Sequence, residues 1–277
     1  MYCKKIWAVY FSPVCHTREA VVRIAERMAE ELRAPVERID FTLPDMHDKD
    51  FSFGKDDLVV FGIPTYAGRI PNKILPVVQR AFHGEGTPAV PVVTFGNRSC
   101  DDSLSELRNE LTEHGFLPFA AAALAVQHVM SDKIGSGRPD AADREEANIF
   151  AAKAAERFRK LEKIEGKLAV AGRDPVGPYY TPLGMDGQPA KFLKAVPKTD
   201  AERCDRCGVC VSCCPMGSVK MEELPVTAGI CIKCQACVRR CPRQARFFDD
   251  PALLSHIAML ETNYARRAAN LFFPGED

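Results

Sequence analysis

Eight of the twelve cysteines in this 277-residue sequence fall into two copies of one spacing, and that repeat limits the fold more than any other feature. The first copy is Cys204-x2-Cys207-x2-Cys210-x3-Cys214 with Pro215 behind it. The second is Cys231-x2-Cys234-x2-Cys237-x3-Cys241 with Pro242 behind it, each position shifted by the 27 residues that separate Cys204 from Cys231. Thiolates spaced by two residues wrap three ligands around one cubane iron–sulfur cluster, and the fourth cysteine of each run reaches across to the other cluster. The expected ligand sets are therefore Cys204, Cys207, Cys210 and Cys241 for one [4Fe-4S] cluster, and Cys231, Cys234, Cys237 and Cys214 for the other. A zinc site of four thiolates is the alternative. It leaves four ligands and both Cys-Pro pairs unexplained. Cys213 is extra to the pattern and reads as a small buried hydrophobe.

Metal ligation by clustered thiols belongs to a reducing compartment. Residues 6–11 follow Lys4-Lys5 and mimic a signal peptide, but the apolar run is short and no small-residue cleavage site follows, so it reads as a first strand and the chain as cytoplasmic. The longest apolar run, 116–126, contains Pro118 and is far shorter than the ~20 residues a spanning helix needs, which argues against a membrane. Lys plus Arg and Asp plus Glu both number 37, so no overall field points to nucleic acid or an acidic substrate. Lys233, Arg239, Arg240, Arg243 and Arg246 form a local basic run without Asp or Glu before Phe248. It suits an acidic redox partner or compensation of the clusters' own charge; no aromatics interleave it as nucleic-acid stacking would require.

Upstream, apolar runs at 6–11, 36–41, 58–63, 89–95 and 119–126 predict five short strands. Amphipathic stretches at 17–32 and 103–114 alternate with them, which predicts an α/β, doubly wound, five-stranded parallel sheet with right-handed crossovers. The polar link 42–57 predicts a crossover without a regular helix, and 140–163 a long closing helix. Ligands of such sheets bind beyond the C-terminal strand ends. Three loops stand there. Ser12-Pro13-Val14-Cys15-His16-Thr17 leads into a helix and suits a phosphate; Pro64-Thr65-Tyr66-Ala67-Gly68 offers an aromatic cover; Gly96-Asn97-Arg98-Ser99-Cys100-Asp101-Asp102 offers polar groups to the edge of a heterocycle. Each loop also has a plain reading, as helix cap, half-buried aromatic or turn. The six histidines form no helix-spaced metal pair, and Gly84-Glu85-Gly86-Thr87-Pro88-Ala89 precedes a strand, which rules it out as a nicotinamide motif. Residues 166–200 turn Gly- and Pro-rich and read as a connector folded over a domain face; 252–272 reads as one helix.

The cysteine repeat, over about 200–248, resembles bacterial two-cluster ferredoxins, and the three loops resemble those of flavodoxins. Together, over 5–248, the chain is similar to the flavodoxin–ferredoxin fusion proteins of anaerobic bacteria and archaea. The first loop carries Val14-Cys15-His16 where flavodoxins usually show Thr-Gly-Asn or a Gly-rich form. The resemblance implies a flavodoxin-like domain over 1–165, a connector over 166–199, a small α+β ferredoxin domain over 200–248 and a C-terminal helix and tail over 249–277. It implies FMN, with Ser12, Val14, Cys15, His16 and Thr17 around the phosphate, Pro64, Thr65, Tyr66 and Gly68 against the ring, and Gly96, Asn97 and Arg98 near the pyrimidine edge. The expected function is electron transfer between the clusters, the flavin and redox partner proteins, within one chain or across a homodimer. A flavin-dependent reductase of a small acceptor, with Tyr66, His16 or His128 as proton donor, is the alternative. A flavin-free scaffold joined to a ferredoxin is the third reading.

Overall fold

A computed structural model describes residues 1–275. Strand β1 (Lys5–Tyr10) feeds helix α1 (His16–Leu32), which buries Ala20, Val21, Ile24, Ala25 and Met28 as one stripe and stops where Arg33 turns left-handed. β2 (Val36–Asp40) follows. The next crossover holds only a 3-10 turn, Pro44–Met46, and the short β3 (Phe51–Phe53), so it lacks a regular helix as its polar composition predicts. Then come β4 (Asp57–Pro64), α2 (Leu75–Ala81), β5 (Phe82–Gly84), β6 (Thr87–Phe95), α3 (Ser103–Glu113), β7 (Phe116–Pro118), β8 (Ala121–Ala125) and α4 (Ala141–Lys160).

The five principal strands pair in parallel in the order β2-β1-β4-β6-β8. Counted along the chain that order is 2-1-3-4-5, the flavodoxin-like doubly wound arrangement. β6 is buried at every position, as a parallel strand covered on both faces must be. One face packs Val9, Phe61 and Val93 under α2 and α3; the other packs Ala8, Val60 and Val92 under α1 and α4.

The cysteine-rich part contains β9 (Lys198–Thr199), α5 (Val209–Ser212), β10 (Val219–Met221), β11 (Pro225–Thr227), α6 (Ala236–Arg239) and β12 (Arg246–Phe247). Its sequence repeat is also a repeat of conformation. Arg206 and Lys233 share a positive φ of 59° and 57°, and Gly208 and Gln235 one of 76° and 62°. β10 pairs with β11 and β12 with β9, both antiparallel. The closing strand of each repeat thus lies against the opening strand of the other, which interlocks the two halves.

Two expectations are corrected. The helix expected over 252–272 is α7 (Pro251–Asn263) only, and the chain then runs extended into β13 (Leu271–Phe273), antiparallel to β8. The main sheet accordingly holds seven strands, not five: β13 and the short β7 join the five. Tertiary hydrogen bonds override helix propensity here. The Asn97 amide donates to the carbonyls of Tyr264 (2.9 Å) and Arg266 (2.7 Å), the buried Arg138 donates to that of Ala268 (2.6 Å), and Asn270 accepts from Ala125 N–H (2.8 Å). Among the described residues no helix is long and apolar enough to cross a membrane.

Candidate functional site

The loops after β1, β4, β6 and β8 open on one cleft at the point where strand order reverses between β1 and β4. Ser12, Val14, His16, Thr17, Pro64, Thr65, Tyr66, Gly68, Gly96 and Arg98 line it, joined by Gln127, His128, Tyr180, Pro182, Phe192 and His256. Among the described residues no Asp or Glu lines it, while Arg98, itself paired with Asp101, and Lys233 do, so its field suits an anionic ligand. Ser12 Oγ accepts from Arg18 N–H (2.9 Å), which leaves its own proton for the cleft; the Thr17 and Thr94 hydroxyls bond each other (2.8 Å). His16 Nδ1 is buried without a partner, and burial lowers that imidazole's pKa. An orphaned nitrogen beside the Ser12 and Thr17 hydroxyls at a helix start fits a polar ligand.

Two expected members are not in the lining. Cys15 is left-handed (φ 72°) at the N-cap of α1 and meets Arg240 Nη2 on the outer side (3.4 Å). Asn97 is buried, and its side chain is consumed by the tail backbone described above. The aromatic cover is more extensive than Tyr66 alone. The connector straps over the cleft: Arg69 pairs with Glu106 (2.5 Å) and donates to Gly177 O (2.5 Å), and Tyr180 N–H donates to Ala67 O (2.8 Å). Burial pushes Asp102 up, but bonds from Arg173 and the Gly177 N–H outweigh it and hold the carboxyl at about 2. Arg98 stacks 4.1 Å over the Tyr180 ring, so the strap and the third loop are clamped. His128 Nδ1 accepts from Met130 N–H (3.2 Å), which puts the ring proton on Nε2, a neutral donor facing no partner among the described residues; burial holds its pKa at about 4. The ring fits because residue 96 is glycine: a Cβ there would stand 2.3 Å from His128 Cδ2.

The cysteines converge on two small cavities. One is lined by Cys204, Cys207, Cys210 and Cys241, the other by Cys214, Cys231, Cys234 and Cys237. Each set takes three thiols from one run and the fourth from the other, because the strands interlock the repeats. The fourth cysteine of each set receives a matching backbone bond, Ser218 N–H to Cys214 Sγ (3.3 Å) and Ala245 N–H to Cys241 Sγ (3.2 Å). Burial raises the thiols of Cys210, Cys231 and Cys234, and that of Cys237 to about 11, so a metal must displace protons to bind them. Among the described residues no three His, Cys, Asp or Glu side chains converge tightly enough for a single metal ion. Cys213 is a buried thiol, raised to about 12 by burial, and Cys3 and Cys100 are buried as well.

Cleft and cavity share a wall. Ile232 and Lys233 line both the cleft and the cavity of Cys214, Cys231, Cys234 and Cys237. Tyr66 packs into the apolar cluster of Cys210, Cys213, Cys234 and Cys237, and its hydroxyl is raised well above the usual range by burial, with Cys234 and Cys231 adding to the rise. Lys233 Nζ fixes the wall by donating to Leu193 O (2.8 Å) and Cys231 O (3.3 Å). Neither Ile232 nor Tyr180 carried a sequence signal of this role, since the contacts join segments far apart in the chain. The aromatic pair Tyr179-Tyr180 inside a Gly- and Pro-rich connector is the nearest thing to one.

No protein-family model matches the chain, and no curated protein does. Solved structures similar to it include a flavodoxin from the domain Archaea, 14% identical with a TM-score of 0.39 over 56% of this chain and 99% of that one. The rubredoxin oxygen:oxidoreductase of the anaerobe Desulfovibrio gigas is 18% identical, with a TM-score of 0.38 over 58% of this chain but only 38% of its own. A flavodoxin from Streptococcus pneumonia TIGR4 is 14% identical, with a TM-score of 0.39 over 55% and 99%. TM-scores this low do not establish a common fold; the strand order of the sheet is what identifies the architecture.

Proposed function

We propose that this chain is an electron-transfer protein that relays electrons between two [4Fe-4S] clusters, an FMN and redox partner proteins. The wall that Ile232, Lys233 and Tyr66 make between the cleft and the cavity of Cys214, Cys231, Cys234 and Cys237 carries the proposal. Bound there, the groups supply one-electron exchange at the clusters and one- or two-electron exchange at the flavin.

The residues fit both groups. Ser12, His16 and Thr17 offer donors to a phosphate, Tyr66 and Tyr180 offer ring faces, Arg98 and His128 Nε2–H reach for ring-edge oxygens, and Val14, Pro64, Thr65, Gly68 and Gly96 shape the walls. The two cysteine sets hold one cluster each. Cys207 is exposed whereas Cys234 and Cys237 are buried against the wall, so a cluster held by Cys204, Cys207, Cys210 and Cys241 would be the one open to a partner, and one held by Cys214, Cys231, Cys234 and Cys237 the one beside the cleft. The exchange runs inside one chain and needs no second copy. The roof of Tyr180, Pro182 and Phe192 favours this relay over reduction of a small acceptor, which needs an open face over the ring.

The absorption spectrum of anaerobically purified protein, with chemical assay of flavin and iron, tests the reading. Flavin bands over a broad iron–sulfur shoulder, one flavin and two cubanes' worth of iron per chain, are expected. Iron without flavin leaves a flavin-free scaffold joined to a ferredoxin, and zinc in place of iron refutes the relay.

A further inference from the structure

Three arginines are buried in this molecule: Arg108, Arg138 and Arg246. Arg108 pairs with Asp174 (2.8 Å) and Arg138 with Asp143 (2.6 Å). Arg246, on β12 and only 3% exposed, has no carboxylate partner among the described residues. Its guanidinium donates to neutral oxygens, Nη1 to Thr199 Oγ1 (2.6 Å) and Pro225 O (2.8 Å) and Nη2 to Thr227 Oγ1 (2.8 Å), and it also meets the Cys237 thiol. Nε is buried with no partner at all. A buried charge left without a countercharge is destabilising. The fold keeps it nonetheless, inside the cavity lining of Cys204, Cys207, Cys210 and Cys241.

A cubane held by four thiolates carries net negative charge that grows on reduction, and nearby positive charge favours the reduced form. We propose that Arg246 is the fixed countercharge of the cluster at Cys204, Cys207, Cys210 and Cys241 and raises its reduction potential, an assignment that rests on the two-cluster reading. The repeat makes the device one-sided. The position equivalent to Arg246 in the first copy is Val219, an apolar residue that lines the sister cavity. Arg246 also stands beside Cys237 of the sister cavity, so both clusters would feel its charge. No bond forms or breaks: Arg246 would set how readily a cluster held by Cys204, Cys207, Cys210 and Cys241 keeps an electron.

The test is a redox titration of both clusters, followed by electron paramagnetic resonance, in full-length cofactor-loaded protein carrying Arg246→Met, Arg246→Lys or neither. Arg246→Met lowers the potential of the cluster at Cys204, Cys207, Cys210 and Cys241, lowers its sister's too and leaves the flavin's unchanged. Arg246→Lys keeps the charge and stays near wild type. Unmoved potentials in Arg246→Met, or an equal fall in Arg246→Lys, overturn the countercharge. Thermal melting of iron-free protein covers the case in which Arg246→Met assembles poorly: with no cluster to offset, losing the charge leaves the melting temperature unchanged or raises it. A melting temperature well below wild type in that state makes Arg246 a structural clamp and overturns the proposal. Iron absent from the wild type defeats the cluster reading itself, a different result from either.

Discussion

Tyr66 belongs to two environments at once, the cleft and the apolar cluster around Cys234 and Cys237. A stacked aromatic contributes contact area and also ring-quadrupole electrostatics, about 0.5–1.5 kcal/mol beyond burial. Tyr66→Ala is therefore expected to weaken flavin binding by about tenfold and shift the flavin's potential while both clusters persist; titration of apoprotein with FMN and a spectroelectrochemical potential read this. Unchanged binding and potential would put Tyr66 away from the ring. His128 gives a pH dependence. Its folded pKa of about 4 lies below the ordinary histidine value, so between those limits the unfolded chain binds more protons than the folded one. Stability is full above about pH 6.5 and falls as pH drops through that window, by about 3 kcal/mol once it is crossed. The half-buried His16 and His47 and the buried His256, all lowered by desolvation, add to the fall with the same sign. Melting curves from pH 7 to pH 4 should show it, and His128→Gln should flatten the part that belongs to His128; a curve as steep in that variant would assign the loss elsewhere.

At the scale of elements, the repeat was legible because ligand spacing is chemistry as well as pattern, and the interlocked pairs β9 with β12 and β10 with β11 are its structural form. Crossed ligation predicts that Cys241→Ser damages the cluster of Cys204, Cys207 and Cys210, although Cys241 lies in the other run. Spectra showing loss only at Cys231, Cys234 and Cys237 would mean sequential ligation. The five parallel strands were equally legible, as continuous apolar runs between amphipathic helices. Illegible were the elements that exist only through tertiary contact. α2 is short and follows a Pro-rich loop, and β13 looks helical by composition yet is drawn extended by Asn97 and Arg138. The same contacts misled the site reading: Asn97, expected at a ligand, serves the tail. Ser12, Thr17, Tyr66 and Gly68 could be placed at the cleft because loop position at a strand end needs no tertiary knowledge, whereas Ile232, Lys233 and Tyr180 needed the second unit and the strap in place.

Over the whole molecule the connector turns out to be anything but a flexible tether. Arg69, Asp102, Arg108 and Arg98 each hold a part of it, so the relative position of cleft and cysteine cavities is fixed by ion pairs and stacking instead of by chance encounter. α6 adds a direct brace, with Arg239 donating to Val129 O (2.9 Å). A tether would give an effective concentration in the millimolar range; a built wall holds one contact permanently. The relay therefore predicts that flavin is reduced through the clusters. Protein loaded with FMN is mixed with a one-electron reductant that reduces ferredoxins quickly and flavins slowly, and flavin bleaching is followed in the wild type and in a variant carrying both Cys204→Ser and Cys234→Ser. The double variant should bleach at the slow direct rate. Cys234→Ser alone should match it, because the cluster at the wall is missing, while Cys204→Ser alone should retain part of the fast phase through the sister cluster. If all four proteins bleach equally at equal flavin loading, cleft and cavities are independent redox modules that share a wall without using it.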